Sequence, residues 1–366
     1  MFYNYNVFGF RGEVLEYPYL FINLEKIESN SREIVKCCKK NGLNVIGVTK
    51  GCLGDPAVAR AMLNGGVSGI GDSRILSLKK LRENGFNNLM MLRQPMREKV
   101  QDAVRYSDVC LISDIQVLPL LSKEAAKLNK IYGIILMVET GGLREGMLPE
   151  DLLKAVDKVL QLKNIRFLGI GSNACPLLYE QTKINFVPTS SDFQLLTELA
   201  DSIKDKFGIK VEVISGGNSS VWKMVETGTV PDEINQLRIG EAILLGQETT
   251  SCEKIKGTFQ DAFVLFAEVL EVREKKYPKG WLKQAIVALG RQDIGNEILK
   301  PCFNGEILRV SADHMVIDIS KADKVVSAGD ILSFIPGYYA LQMAMTSPFV
   351  LKEYAQVSCD ISERAR

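Results

Sequence analysis

A single histidine, His314, stands among 366 residues, and that count limits the available chemistry. A Ser-His-Asp triad would have to use it, and zinc sites built from several histidines are excluded. Proton transfer therefore falls to lysine, arginine, tyrosine, cysteine, a carboxylate or a cofactor. Four segments offer such groups. NVIGVTK ends its apolar run in Lys50. An amine drawn into apolar surroundings loses its proton more easily and becomes a nucleophile able to form a Schiff base; the plainer alternative is a salt-bridged lysine at a rim. VEVISGGNSS runs into VWKMVE. Its glycines let backbone approach a ligand, Ser219 and Ser220 supply hydroxyls, and a helix start supplies unpaired N–H groups, which together suit a phosphate. A glycine turn with an ordinary N-cap has the same composition. QLRIGEAILLG sets Arg238 alone in an apolar stretch, where it can only donate hydrogen bonds, to a ligand or within a structural ion pair. LMVETGGLREGM places Arg144 in a glycine-rich loop, able to clamp a carboxylate or to pair with Glu139 or Glu145.

Regular elements must hold these groups. From Tyr19 to Gly246 eight apolar runs (YLFINL, NVIGVT, SGIGD, NLMML, VCLIS, YGIILMV, RFLGIG and VEVISG) alternate with amphipathic stretches such as SREIVKCCKKNG and PEDLLKAVDKVLQLK. Strands apolar on both faces and separated by helices pair in parallel through βαβ units. Eight units predict a (β/α)8 barrel of the TIM type rather than an open doubly wound sheet, which normally has fewer units and carries GxGxxG after its first strand. Ligand groups of a barrel collect at the carboxyl ends of its strands. On this count Lys50 closes the second strand, the Arg144 loop follows the sixth and GGNSS follows the eighth. After residue 252 the runs FVLFAEVLEV, QAIVALG, GEILRVS, HMVIDIS and GDILSFI read as a smaller β domain. The expected division is an N-terminal arm at 1–17, a barrel at 18–250 and a β domain at 251–366.

Lys+Arg 45 against Asp+Glu 44 leaves a formal charge of +1, with no electrostatic footprint for nucleic acid or an anionic membrane. The amino terminus lacks the apolar core of a signal peptide, and no apolar run reaches membrane-spanning length. Eight cysteines without CxxC spacing read as reduced thiols of a cytoplasmic protein. Vicinal Cys37 and Cys38, Trp222, Trp281 and the stretch YYALQMAMTS read as packing.

VTK with Lys50, ETGGLR, GGNSS and RIGEAILLG recur in this order in the alanine racemases, and VSADHMVIDI, GDILSFI and GYYAL extend the likeness into the C-terminal portion. The chain thus resembles that family over most of its length. VTKGCLGDP, LREG, ALGRQD and SADH are more similar to its ornithine racemase branch. The resemblance implies a pyridoxal 5′-phosphate enzyme, a barrel followed by a β domain, and a head-to-tail homodimer with its active site at the subunit interface. It matches Lys50 to the lysine that carries the cofactor and serves as one base, and Arg238 to the arginine facing the pyridine nitrogen. Asn218 and Ser219, with Gly240 and Glu241, match the phosphate site, and Tyr339 matches a tyrosine close to it. Arg144 matches the arginine near the phenolic oxygen and the substrate carboxylate, while Ala312 and Asp313 reach the partner's site.

Four positions depart from the family. Gly54 stands where it has a tyrosine, Met137 where it has a lysine beside the arginine, and Asn173 where it has a histidine stacked on the ring. ALGRQD carries no tyrosine to act as the second base. His314, Asp293, Asp313 and Cys175 are the candidates, in that order. The expected activity is a racemase acting on a basic amino acid such as ornithine, with Asp293, Asp313, Glu145 and Asp55 as candidate partners for a distal ammonium. The rival readings are an alanine or broad-specificity racemase, a lyase or decarboxylase, and a non-catalytic cofactor carrier. A metal-dependent lyase is hard to build with one histidine.

Overall fold

A computed structural model describes residues 17–174, 177–179, 184–186, 189–278, 280–297 and 299–355. The chain opens with strand β1 (Tyr19–Ile22) and helix α1 (Leu24–Lys40), then β2 (Asn44–Val48), α2 (Pro56–Asn64), β3 (Gly69–Asp72), α3 (Ile75–Glu83), β4 (Leu89–Met91) and α4 (Val100–Tyr106). It continues through β5 (Val109–Ile112), α5 (Leu118–Lys127), β6 (Tyr132–Met137), α6 (Leu152–Leu160) and β7 (Ile165–Gly171). A small antiparallel pair, β8 (Leu177–Tyr179) and β9 (Ile184–Phe186), precedes α7 (Ser190–Phe207), β10 (Val213–Asn218), α8 (Trp222–Thr227), β11 (Gln236–Ile239) and α9 (Glu241–Leu245).

Eight of these strands close a parallel barrel in the order β2-β3-β4-β5-β6-β7-β10-β11, as the alternating pattern predicts. Its membership differs from the expected one at a single strand. YLFI is not a barrel strand: β1 pairs with strands of the C-terminal sheet. The eighth place is taken by QLRI, whose Arg238 lies opposite Ile46 of β2 and Asn218 of β10. Lys50 thus follows the first barrel strand, the Arg144 loop the fifth and GGNSS the seventh.

Ile46, Met90, Leu111, Ile135 and Met137 form one buried cluster contributed by β2, β4, β5 and β6, each side chain stabilising the fold by about 1.5–3 kcal/mol. Helix α1 shows why the amphipathic stretches fold as they do. Asn23 caps it by accepting from Lys26 N at 2.9 Å, and Ile27, Asn30, Ser31, Ile34, Val35 and Cys38 form its buried face at helical spacing. Asn30 is committed on that face: Nδ2 donates to the carbonyls of Ile243 (3.0 Å) and Phe259 (2.8 Å), and Oδ1 accepts from Phe259 N at 2.6 Å. Burial pushes the Cys38 thiol up to about 12, so it packs rather than reacts.

The second unit contains β12 (Phe263–Tyr277), β13 (Gly280–Val287), α10 (Arg291–Ile294), β14 (Lys300–Pro301), β15 (Glu306–Val310), β16 (Met315–Asp318), β17 (Ile331–Ile335), α11 (Tyr338–Thr346) and β18 (Leu351–Tyr354). Its sheet runs β14-β17-β12-β13-β16-β15, with β1 joined to β12 and, in parallel, to β18. Tyr19 of β1 stacks on Phe266 with ring centroids 4.8 Å apart. Compact packing groups 23–263 as one unit and joins 17–22 to 264–354 as the other. Residues 1–16 of the expected arm lie outside the described residues. YYALQMAMT forms α11, burying Ala340, Leu341, Ala344 and Met345. Among the described residues no helix is long and apolar enough to cross a membrane.

Candidate active site

Lys50 starts a short 3-10 turn, Lys50–Cys52, directly after β2. The residue before it is pinned twice: Thr49 N donates to Gly71 O at 3.0 Å, and Thr49 Oγ1 donates to Asp72 Oδ2 at 2.9 Å. The turn closes with Cys52 N and Gly54 N both donating to Thr49 O. Leu53 and Gly54 have φ of 53° and 61°, and a Cβ at Gly54 would lie 2.6 Å from Ser77 Cβ. No tyrosine fits there, which accounts for this departure from the family pattern. Burial lowers the Lys50 amine pKa, and Arg144 and Arg238 push the same way against Asp72 and Glu145. An amine so placed is more often neutral, and hence more often a nucleophile or base, than an exposed lysine.

Arg238 points its guanidinium at the ends of the neighbouring strands. One terminal nitrogen donates to the Ser215 hydroxyl and, at 3.3 Å, to Ser215 O; the other donates to Ser172 O at 2.6 Å. Burial lowers its pKa to about 10, so it stays protonated at neutral pH and offers only donors. Ser172 Oγ and Asn173 Nδ2 are buried and have no hydrogen-bond partner among the described residues, while Asn173 Oδ1 accepts from Asn218 Nδ2 at 3.3 Å. Buried polar atoms of this kind are normally satisfied. Their presence beside Arg238 and Asn218 is what a polar ligand would complete.

The GGNSS segment turns sharply after β10. Asn218 Oδ1 accepts from Ser220 N at 3.0 Å, and Ser220 Oγ donates to Ala174 O at 2.7 Å. Ser219 is buried, and its Oγ accepts from Gly240 N and Ala242 N, both at 3.3 Å. Two backbone donors at the start of α9 thus converge on one serine oxygen, the arrangement that suits a phosphate. Glu241 opens α9 and accepts from Gln247 Nε2 at 3.2 Å. The guanidinium groups of Arg144 and Arg238 and the carboxylates of Asp72 and Glu145 all act on the Lys50 amine.

Arg144 lies in the loop between β6 and α6. Glu139 organises that loop, accepting from Gly141 N (2.6 Å), Leu143 N (3.1 Å) and Arg144 N (3.3 Å). Met137 is turned into the barrel core, and Glu145, not a lysine, holds the Arg144 guanidinium in a two-bond fork. The barrel unit therefore brings together Lys50, Arg144, Asn173, Asn218, Ser219, Arg238, Gly240 and Glu241. Thr49, Asp72, Ser172 and Ser215 join them without having been singled out by the sequence. Asp72 closing the short apolar run GIGD is the one signal that could have found the second of these.

The other candidates lie in the β unit. The turn between β15 and β16 carries Ala312, Asp313 and His314, with His314 Nδ1 2.6 Å from Asp313 Oδ1 and both side chains exposed. ALGRQD packs on this turn, Arg291 N donating to Ser311 O and Gln292 N to Ala312 O, both at 2.9 Å. Asp293 is buried, accepts from Gly290 N at 3.0 Å and lies 3.5 Å from Ser347 Oγ. Tyr339 is exposed in the first turn of α11. Cys175 lies outside the described residues.

Residues 22–247 match the family model described as alanine racemase, N-terminal domain. A lysine racemase of Thermotoga maritima is 35% identical over 359 residues, covering 92% of this chain and 98% of that protein. An ornithine racemase of Acetoanaerobium sticklandii is 34% identical, covering 92% and 99%. Among solved structures, an alanine racemase of Clostridium difficile 630 superposes with a TM-score of 0.71 at 18% identity, covering 94% of this chain and 97% of that one.

Proposed function

This chain belongs to the alanine racemase N-terminal domain family, and from that membership we propose a pyridoxal-phosphate-dependent racemase that interconverts the L and D forms of a basic amino acid such as ornithine. The observation that carries the choice of substrate is that both relatives matched over nearly the whole chain are racemases of diamino acids. The orphaned Ser172 and Asn173 atoms, the donor-only Arg238 and the N–H pair on Ser219 support the cofactor. We assign its holding to Lys50, Asn173, Asn218, Ser219, Arg238, Gly240 and Glu241. Bound, pyridoxal phosphate withdraws electrons from the substrate α-carbon and so acidifies its proton.

The chain's own groups then move that proton. The depressed Lys50 amine accepts it on one face of the α-carbon and returns it in the reverse direction. Inversion needs a second carrier on the opposite face. Asp293 is buried and committed to Gly290 N, whereas the Asp313–His314 pair is exposed on a turn, and imidazole can both accept and donate a proton. We assign the second role to His314, oriented by Asp313, and the substrate carboxylate to Arg144. His314 would serve the site of a second copy in a head-to-tail homodimer. The cytoplasm is the proposed compartment, from eight cysteines without CxxC spacing.

The test is cofactor-loaded protein in heavy water with L-ornithine, L-lysine and L-alanine separately, following Cα deuteration by NMR and the D-isomer by chiral assay. Deuteration with D-ornithine or D-lysine is expected. Inversion of alanine alone would overturn the basic substrate, exchange without inversion would overturn the two-sided proton path, and no exchange at all would favour a carrier.

A further inference from the structure

Arg144 and Glu145 are chain neighbours that bind each other, the guanidinium donating through two nitrogens to the two carboxylate oxygens. The pair is a surface one, the arginine side chain 55% and the glutamate 34% exposed, so water competes for it and it opens at small cost. The same two side chains are the loop charges that act on both Lys50 and Arg238. Asp72 also acts on Lys50, but it is buried and committed to Thr49 Oγ1 and Arg74 N. The remaining acidic candidates are engaged elsewhere: Asp55 accepts from Ala57 N and Val58 N at the start of α2, Asp293 accepts from Gly290 N, and Asp313 holds His314.

We propose that Glu145 selects a diamino-acid substrate by exchange: the substrate α-carboxylate takes over the Arg144 fork, and the Glu145 carboxylate released from it accepts the distal ammonium. This rests on the racemase reading and names the specificity residue within it. The exchange keeps charge balanced, because one guanidinium–carboxylate pair replaces another and the freed carboxylate meets a cation. A substrate with a neutral side chain restores only the first pair. It leaves Glu145 ionised beside a second carboxylate with no cation in return, so selectivity comes from repulsion of the wrong substrate as well as attraction of the right one.

The test compares wild type, Glu145→Gln and Glu145→Asp, each loaded with cofactor, on ornithine and on norvaline, the chain of similar length without the ammonium. Preference for ornithine in kcat/KM is expected to fall about tenfold or more in Glu145→Gln, the usual effect of losing one charge-assisted hydrogen bond, with the loss in KM and with part of the preference kept in Glu145→Asp. Calorimetry with 4-guanidinobutanoate, which has both charges but no α-amine, gives a readout independent of turnover. It should bind wild type about tenfold tighter than butanoate does and lose that advantage in Glu145→Gln. A wild type that racemises ornithine with the same preference as both variants overturns the Glu145 assignment while leaving the basic-substrate reading intact. A wild type that inverts norvaline but not ornithine overturns the basic-substrate reading and the assignment with it.

Discussion

Thr49 donates its hydroxyl to the Asp72 carboxylate across 2.9 Å, and the next residue in the chain is Lys50. Two strand ends of the barrel are thereby locked together at the point where the amine emerges, and a buried negative charge is placed within electrostatic reach of that amine. The carboxylate does two things at once: it fixes the backbone through Thr49 and raises the amine pKa against the burial that lowers it.

Asp72→Asn removes the charge while its one amide oxygen can still accept from Thr49, at the cost of the acceptor that Arg74 N now uses. A negative neighbour favours the protonated amine, so its removal lowers the Lys50 pKa further. The pH at which Lys50 becomes reactive should move down, measured by competitive acetylation and mass spectrometry on the full chain before cofactor loading. The acid limb of the racemisation profile should follow it to lower pH. An upward move would show that Asp72 does not act on Lys50 through its charge.

Arg238→Ala removes the donors to Ser172 O and Ser215 and leaves buried acceptors unpaired. The expected cost is about 3 kcal/mol, read as a lowered urea midpoint at unchanged slope. Arg238→Glu replaces a donor with an acceptor at the same place and should add transamination to racemisation, detected as keto-acid release. Clean racemisation by that variant would remove the role assigned to Arg238.

The sites of a head-to-tail dimer would take Lys50 from one subunit and His314 from the other. Lys50→Ala and His314→Ala homodimers should each be inactive or nearly so. After unfolding and refolding together, half the dimers are mixed, and one of their two sites has both residues intact. About a quarter of the wild-type rate should return. Recovery of none would place both residues in the same subunit's site, and an active His314→Ala homodimer would remove His314 from the chemistry.

Asn30 joins α1 to the backbone at Ile243 and Phe259 through three hydrogen bonds. Asn30→Leu conserves much of the volume but strands a buried N–H and two carbonyls. It should destabilise the protein by about 2–4 kcal/mol, measured as a shift in chemical denaturation, with the Lys50 labelling profile of surviving folded protein unchanged.

The barrel was legible in the sequence because parallel strands covered on both faces appear as uninterrupted apolar runs between amphipathic helices. The same rule misassigned YLFI. Tyr19, Leu20 and Ile22 are all buried and α1 follows at once, so locally the segment is indistinguishable from a βα unit; only its long-range pairing with β12 and β18 tells otherwise. QLRI failed in the opposite sense, because a charged residue interrupts its apolar run and a helix of only five residues follows. Lys50, Arg144, Ser219 and Arg238 were visible as polar residues at the ends of, or alone within, apolar stretches. Ser172 and Ser215 were not, since a serine inside GIGSN or VISGG carries no signal until the strands are aligned and Arg238 reaches across to both.

The pairing of β1 with β12 and β18 has a consequence for how the molecule is made. On the ribosome β1 is synthesised first, and its partners at 263–277 and 351–354 emerge on the order of tens of seconds later. All eight barrel strands lie between them. The barrel has its full set of strands while β1 is still an unpaired apolar segment, so the early nascent chain carries a sticky leading strand. Chaperone occupancy on stalled nascent chains should therefore persist after the barrel has emerged and fall only once Tyr354 has cleared the tunnel.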